Sequence, residues 1–141
     1  MIVNGTFVLL KPDAIEKNLV GEILTRFCKV GLSIGCIRSY HNPAKTLLER
    51  HYAEHKGKDF FDRNIEHVHN GTVIAVLLFG KDAVKKAREI AGATDPAKAE
   101  PGTIRGDLAK GSALPANLVH TADSPEAAQR EYSLWFIPEL H

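Results

Sequence analysis

The amino-acid sequence predicts an α+β protein built on a four-stranded antiparallel sheet with helices on one face. Three observations carry this. Short runs of β-branched or alternating apolar residues recur in four places, separated by stretches whose apolar residues have helical spacing. Turn signals, among them Asn4-Gly5 and Asn70-Gly71, stand just before two of the four runs. Once a pair of short helical stretches in the middle and a Gly- and Pro-bearing stretch near residue 100 are set aside, the elements follow the order β-α-β-β-α-β. A doubly wound parallel sheet would need more βα units than this chain contains. With 141 residues, one domain spanning 1–141 is expected, since soluble domains cluster at about 100–150 residues.

The first strand runs from Thr6 to Leu10 and is stopped by Lys11-Pro12-Asp13, because proline cannot donate to a ladder; Lys11 therefore sits at a strand tip. Val20, Ile23, Leu24 and Phe27 form one apolar face of a helix, with Glu22, Arg26 and Lys29 opposite and Gly31 as its C-terminal cap. Leu32, Ile34 and Cys36 alternate with smaller residues in a second strand reaching about Tyr40. Leu47, Leu48 and Tyr52 mark a helix over Pro43 to Tyr52, and Phe60-Phe61 opens another that ends before Asn70-Gly71; the pair is expected to form a small lid. Val73 to Phe79 is a buried strand, Ala83 to Ala91 a helix ending at Gly92, and Gly92 to Pro115 a long surface loop. Leu118-Val119 is a short strand. Ser124-Pro125-Glu126 then starts the last helix, with serine as cap, proline in the first position and an acid in the first turn. This order is compatible with a ferredoxin-like (split βαβ) sandwich.

Composition narrows the function. Eighteen basic residues against 17 acidic ones leave a net charge of +1, which lacks the basic footprint of nucleic-acid binding, so any anion site is local. The longest apolar run, Val73 to Phe79, is far short of the roughly 20 residues that cross a bilayer. No basic leader precedes the first apolar segment, and the expected location is the cytoplasm. Cys28 and Cys36 are read as reduced packing residues.

Neither G-x-x-x-x-G-K-[ST] nor G-x-G-x-x-G occurs. What remains is a set of cations and donors at element ends: Lys11, Arg88, Arg105 within Gly102-Thr103-Ile104-Arg105-Gly106-Asp107, and Asn117. Two guanidinium forks and an ammonium suit a polyphosphate, although isolated Lys and Arg residues are mostly just solvated. His120 lies between the last strand and the capped helix, where a loop exposes its side chain. Neutral imidazole is a good nucleophile toward phosphorus near pH 7. Glu131, two helical turns after the Ser124 cap, shares a face with Ala127, Ala128 and Trp135. It is either the acid that fixes the tautomer of His120 or an ordinary surface acid. His51 and His55 at i, i+4 and the His67-Val68-His69 pattern allow a zinc site, but the absence of H-E-x-x-H favours surface histidines.

Lys11-Pro12-Asp13, Pro101 to Asp107, Asn117-Leu118-Val119-His120 and Leu134-Trp135-Phe136 together resemble the nucleoside diphosphate kinases, in order, from about Thr6 to Phe136. The resemblance implies a nucleotide-binding transferase that moves the γ-phosphoryl group of a nucleoside triphosphate, ATP among them, to a nucleoside diphosphate by a ping-pong route through a phosphohistidine at His120. It implies that Lys11, Tyr52, Arg88, Thr94 and Arg105 hold the phosphates, with His55 near them in some members. Lys11 and Asn117 engage the sugar, Phe60 stacks on the base, and Glu131 stands beside the nucleophile. It also implies magnesium held by nucleotide phosphates and water, broad base specificity, and a homo-oligomer, hexamer or tetramer. This sequence departs from the family pattern at Ala122, where serine is usual and where reduced turnover is expected; at Asn64, where leucine is usual; and over Leu108 to Ala116, which is longer than the common form and lacks its Gly-Arg before Asn117. A nucleotide-binding regulatory relative with little kinase activity is the alternative reading.

Overall fold

The structure, a computed structural model, describes residues 2–138, so residue 1 and residues 139–141 of the expected 1–141 domain lie outside the described residues. Its strands are β1 (Gly5–Leu10), β2 (Ser33–His41), β3 (Thr72–Phe79) and β4 (Val119–Thr121). The helices are α1 (Pro12–Glu16), α2 (Val20–Lys29), α3 (Lys45–His51), α4 (Phe61–His69), α5 (Ala83–Ala91), α6 (Ile104–Leu108) and α7 (Pro125–Phe136). The sheet order is β2-β3-β1-β4 with every pairing antiparallel, which is the split βαβ arrangement expected.

β1 is central and buried on both faces, which explains its unbroken apolar run. Because successive side chains alternate across a strand, Val8 and Leu10 join one core with Ile23 and Phe27 of α2 and Ala83, Ala87 and Ala91 of α5. Phe7 and Leu9 join another, with Leu48 of α3, Ile65 and Val68 of α4, and Leu134 and Trp135 of α7. The crossover helices α2 and α5 thus share one face as expected. The structure corrects the expectation of helices on one face only: α3, α4 and α7 form a second layer on the opposite face, because β1 is apolar on both sides. Each fully buried Phe or Leu in these layers contributes about 1.5–3 kcal/mol, so neither face of β1 could be left uncovered.

Gly31 stands just past α2 with φ +94°, the left-handed cap conformation that favours glycine. Asn70 and Gly71 feed β3 as expected, and a side chain at Gly71 would strike Pro12. One expectation is corrected. The stretch from Gly92 to Pro115 is not simply a surface loop, because it contains a short 3-10 turn at Pro96–Lys98 and α6, and it buries Ile104, Arg105 and Ala109. α6 spans five residues, too few for a periodic signature. It is started by the Thr103 side chain, which accepts from the Gly106 N–H at 3.0 Å.

Candidate active site

A groove of about 1260 Å³ opens at the ends of β1 and β4, between α3, α5, α7 and the segment around residues 113–117. Lys11, Tyr52, His55, Phe60, Arg88, Thr94, Arg105, Asn117, His120 and Glu131 all line it. The structure therefore gathers every site residue inferred from the sequence, although they are spread from Lys11 to Glu131 along the chain.

At its centre His120 lies within β4, not on the loop expected after Leu118-Val119; β4 pairs it with Leu9 of β1, which fixes its backbone on the sheet while leaving the ring partly open. α7 brings Glu131 against it. The Ser124 hydroxyl accepts from the Ala127 N–H at 3.0 Å and sets the start of that helix, and Trp135, fully buried on the second core, sets its rotation. His120 Nε2 then lies 2.7 Å from Glu131 Oε1, with the Glu131 side chain only 4 % exposed. A carboxylate only accepts, so Nε2 carries the hydrogen and the lone pair is left on Nδ1. The other Glu131 oxygen lies 3.5 Å from Arg130 Nη2. Of the two readings of Glu131, surface acid or partner of His120, the geometry selects the second.

The cations are arranged by depth. Lys11, at the tip of β1, is buried and donates to Asn117 Oδ1 at 2.8 Å and to the Pro115 carbonyl. Burial lowers its pKa to about 8, an effect opposed by nearby Asp13 and reinforced by Arg105 and Arg63. Arg105 is also buried and spends three nitrogens on the carbonyls of Gly92, Asn117 and Val119. Burial pushes its guanidinium down to about 10, so it stays charged at neutral pH. Arg105 thus ties the 92–119 segment to β4 while also lining the groove, with N–H groups beyond those three bonds. Arg88 on α5 is exposed at the rim. Asn117 Nδ2 donates to the Thr94 carbonyl at 2.9 Å, so Lys11, Asn117 and Thr94 form one connected wall.

On the opposite wall, burial raises the Tyr52 pKa above its ordinary value, with the Glu131 charge acting the same way, so its hydroxyl remains a donor. His55 meets Phe60 edge-on at 5.1 Å between ring centroids. Asn64 and Leu114 line the mouth, so the departing segment 108–116 does reach the groove.

Residues that the sequence reading passed over also build the site. Asp13 Oδ2 accepts from the buried Leu118 N–H at 2.9 Å, and Asp13 Oδ1 lies 3.1 Å from His67 Nε2. Burial opposes ionisation of Asp13, but these bonds and the Lys11 charge outweigh it and hold its carboxyl below the ordinary carboxylate value. Leu118 has φ +73°, a left-handed backbone pinned by that bond two residues before His120. His51, expected on the surface, is instead 3 % exposed, because it shares the inward face of α3 with Leu48, three residues earlier. That spacing was the available signal. Arg63 and Arg130 also line the groove, and lone arginines carry no such signal.

Among the described residues the side chains able to converge on a metal are His51, His120 and Glu131, with donor atoms within 4.8 Å of one another. Two imidazoles and one already bonded carboxylate are no cage for magnesium, which takes about six oxygens and keeps several waters. An ion of that kind would have to arrive with oxygens of its own.

Comparison with known proteins gives a consistent result. A sequence model of the family described as nucleoside diphosphate kinase matches residues 4–140. A protein of that name from Staphylococcus epidermidis is 45 % identical over 131 residues, covering 93 % of this chain and 86 % of that one. A crystal structure of the apo enzyme of that name from Encephalitozoon cuniculi superposes with a TM-score of 0.90 at 36 % identity, over 95 % of this chain and 89 % of the other. The Halobacterium salinarum structure of that name, solved in complex with CDP, gives 0.87 at 40 % identity, over 94 % and 86 %.

Proposed function

This chain belongs to the nucleoside diphosphate kinase family, enzymes that pass a phosphoryl group between nucleotides through a phosphohistidine, and we propose that His120 is the histidine that carries it here. The observation that supports this most is the 2.7 Å contact between His120 Nε2 and the buried Glu131 carboxylate, which leaves the lone pair on Nδ1 of a paired ring that lines the groove. In the first half-reaction Nδ1 attacks the γ-phosphorus. The new N–P bond forms as the bond to the bridging oxygen breaks, and its electron pair leaves with the diphosphate. The ring gains positive charge in this step, and Glu131 offsets it. The second half-reaction is the reverse with another diphosphate as acceptor.

Such transfers depend on placement and charge neutralisation more than on acid–base work. Lys11, Arg88 and Arg105 supply positive charge, and Tyr52, Thr94 and His55 supply donors for the phosphate oxygens. Lys11 and Asn117, held together at 2.8 Å, serve the sugar hydroxyls. Phe60 at the groove mouth offers a ring face on which any base can stack, which supports broad base specificity. Magnesium, for which the groove offers no oxygen cage among the described residues, would be held by the nucleotide's phosphates and water and would supply charge neutralisation beside Lys11, Arg88 and Arg105. The reading includes a cytoplasmic protein, in keeping with two unpaired cysteines. It also includes a homo-oligomer, hexamer or tetramer, for which the exposed Ile34 (41 %) and Ile37 (53 %) on edge strand β2 speak.

The test is labelling with γ-labelled ATP. Acid-labile label on the protein that moves to a different added diphosphate, and that is lost in His120→Ala, is expected. Label persisting in a folded His120→Ala protein would overturn the assignment. A folded wild-type chain that binds nucleotide without taking label would favour the regulatory alternative.

A further inference from the structure

A second imidazole lies against His120. His51 ends α3, is 3 % exposed, and meets the His120 ring edge-on with 4.5 Å between centroids. Trp135 Nε1 stands 3.1 Å from His51 Nδ1. An indole N–H can only donate, so Nδ1 must accept, and a neutral imidazole then carries its one hydrogen on Nε2. Burial drives the His51 pKa well below its ordinary value. The groups facing it act the same way: His120 from β4, Arg130 from α7, Lys11 from the tip of β1, and His55 beyond α3. The outcome is a neutral ring whose Nε2–H is buried and has no hydrogen-bond partner among the described residues, a rare condition for a donor.

One donor-capable atom each of His51, His120 and Glu131 lies within 4.8 Å of the others. The tryptophan lock argues against a metal there. To ligate through Nε2, His51 would have to move its hydrogen to Nδ1, where it would meet the indole N–H head on.

We propose, building on the assignment of His120 as nucleophile, that His51 is a positioning residue for phosphoryl transfer. Its edge holds the His120 ring in the rotation that keeps Nε2 on Glu131. Its Nε2–H is a donor kept on the buried side of that pair, drawn to the Glu131 carboxylate when His120 moves toward phosphorus. It exchanges no proton and makes no bond to the nucleotide. Its fixed tautomer means that no donor and acceptor roles have to be re-sorted during the transfer.

The experiment is single-turnover phosphorylation of the full chain by labelled ATP across pH, with nucleotide affinity measured separately. His51→Phe keeps an aromatic ring without the donor, and His51→Gln keeps an N–H near Nε2. His51→Phe is expected to slow phosphoenzyme formation by roughly 10- to 100-fold with nucleotide Kd unchanged, as is usual for the partners that orient reactive groups, and His51→Gln to recover most of the loss. Equal rates in wild type and a folded His51→Phe, or equal losses in Phe and Gln, would overturn the proposal. Nitrogen NMR of wild-type His51 gives a readout that needs no variant: an Nε2-protonated neutral ring between about pH 5 and 8 is expected, and an Nδ1–H or a cationic ring would overturn it. A wild type that never takes label sinks the His120 assignment itself, whereas label lost only in His120→Ala keeps that assignment and leaves His51 to be judged on its own variants.

Discussion

Removing the Glu131 carboxylate should slow the chemical step while leaving binding intact. Glu131 makes one close contact, 2.7 Å to His120 Nε2, and its other oxygen is 3.5 Å from Arg130. A hydrogen bond to a charged group contributes about 1.5–3 kcal/mol. At about 1.36 kcal/mol per decade of rate, that is about 10- to 150-fold. Glu131→Ala should show the full loss, because it also frees the imidazole to carry its hydrogen on Nδ1, the atom that must attack. Glu131→Gln keeps an acceptor and loses only the charge, so about half the free-energy effect is expected. Stability should fall as well, since Ala leaves the His120 N–H unpaired and a gap beside the buried second core, so the rate is compared between folded proteins. The assay is quenched-flow phosphorylation by labelled ATP beside nucleotide titration and chemical denaturation. A Glu131→Ala protein that is phosphorylated at the wild-type rate would refute the reasoning, and so would a loss that sits wholly in nucleotide Kd.

Three other outcomes follow from the same geometry. Burial lowers Lys11 to a pKa of about 8 in the free protein, and bound polyphosphate should raise it, so affinity should weaken above about pH 8 with proton uptake on binding, which calorimetry in buffers of different ionisation heat detects. The linked effect on the free protein has a definite sign: with the folded pKa below the unfolded value of about 10.4, stability should rise between about pH 8 and 10 as the buried ammonium discharges. Asp13→Ala strands the buried Leu118 N–H and the His67 ring, and should cost about 2–4 kcal/mol in denaturant titrations. Because the folded Asp13 pKa is depressed, its contribution is present above about pH 4 and fades as pH falls through the lower folded value. Ala122, fully buried against Ala127, Ala128 and Val84, sits where the family resemblance leads us to expect a serine; Ala122→Ser should raise the phosphorylation rate about two- to tenfold if its hydroxyl reaches Glu131, at a stability cost of about 1–3 kcal/mol if it does not. An unchanged rate in a stable variant would show that the hydroxyl is not what limits this chain.

The amino-acid sequence by itself determined the elements. Period-two and helical spacing are local properties, so β1, α2, β3, α5 and the Ser124 cap of α7 could be read from neighbours a few residues apart. It also yielded the candidate residues, because Lys11, Arg105, Asn117 and His120 stand in long motifs in a fixed order, and the groove brings these candidates together. Tertiary structure decided what those residues do to one another. Whether Glu131 faces water or His120 depends on how Trp135 turns α7 on the second core, and that core arises only when α3, α4 and α7 close over the face of β1 bearing Phe7 and Leu9. The depressed Lys11 pKa, the Arg105 tether and the Asp13 bond to Leu118 all join residues remote in sequence. His51 is the clearest case. The sequence alone suggests a surface residue although its spacing from Leu48 points inward, and its fixed tautomer comes from an indole 84 residues away; burial and hydrogen bonding of that kind exist only once the two layers have packed.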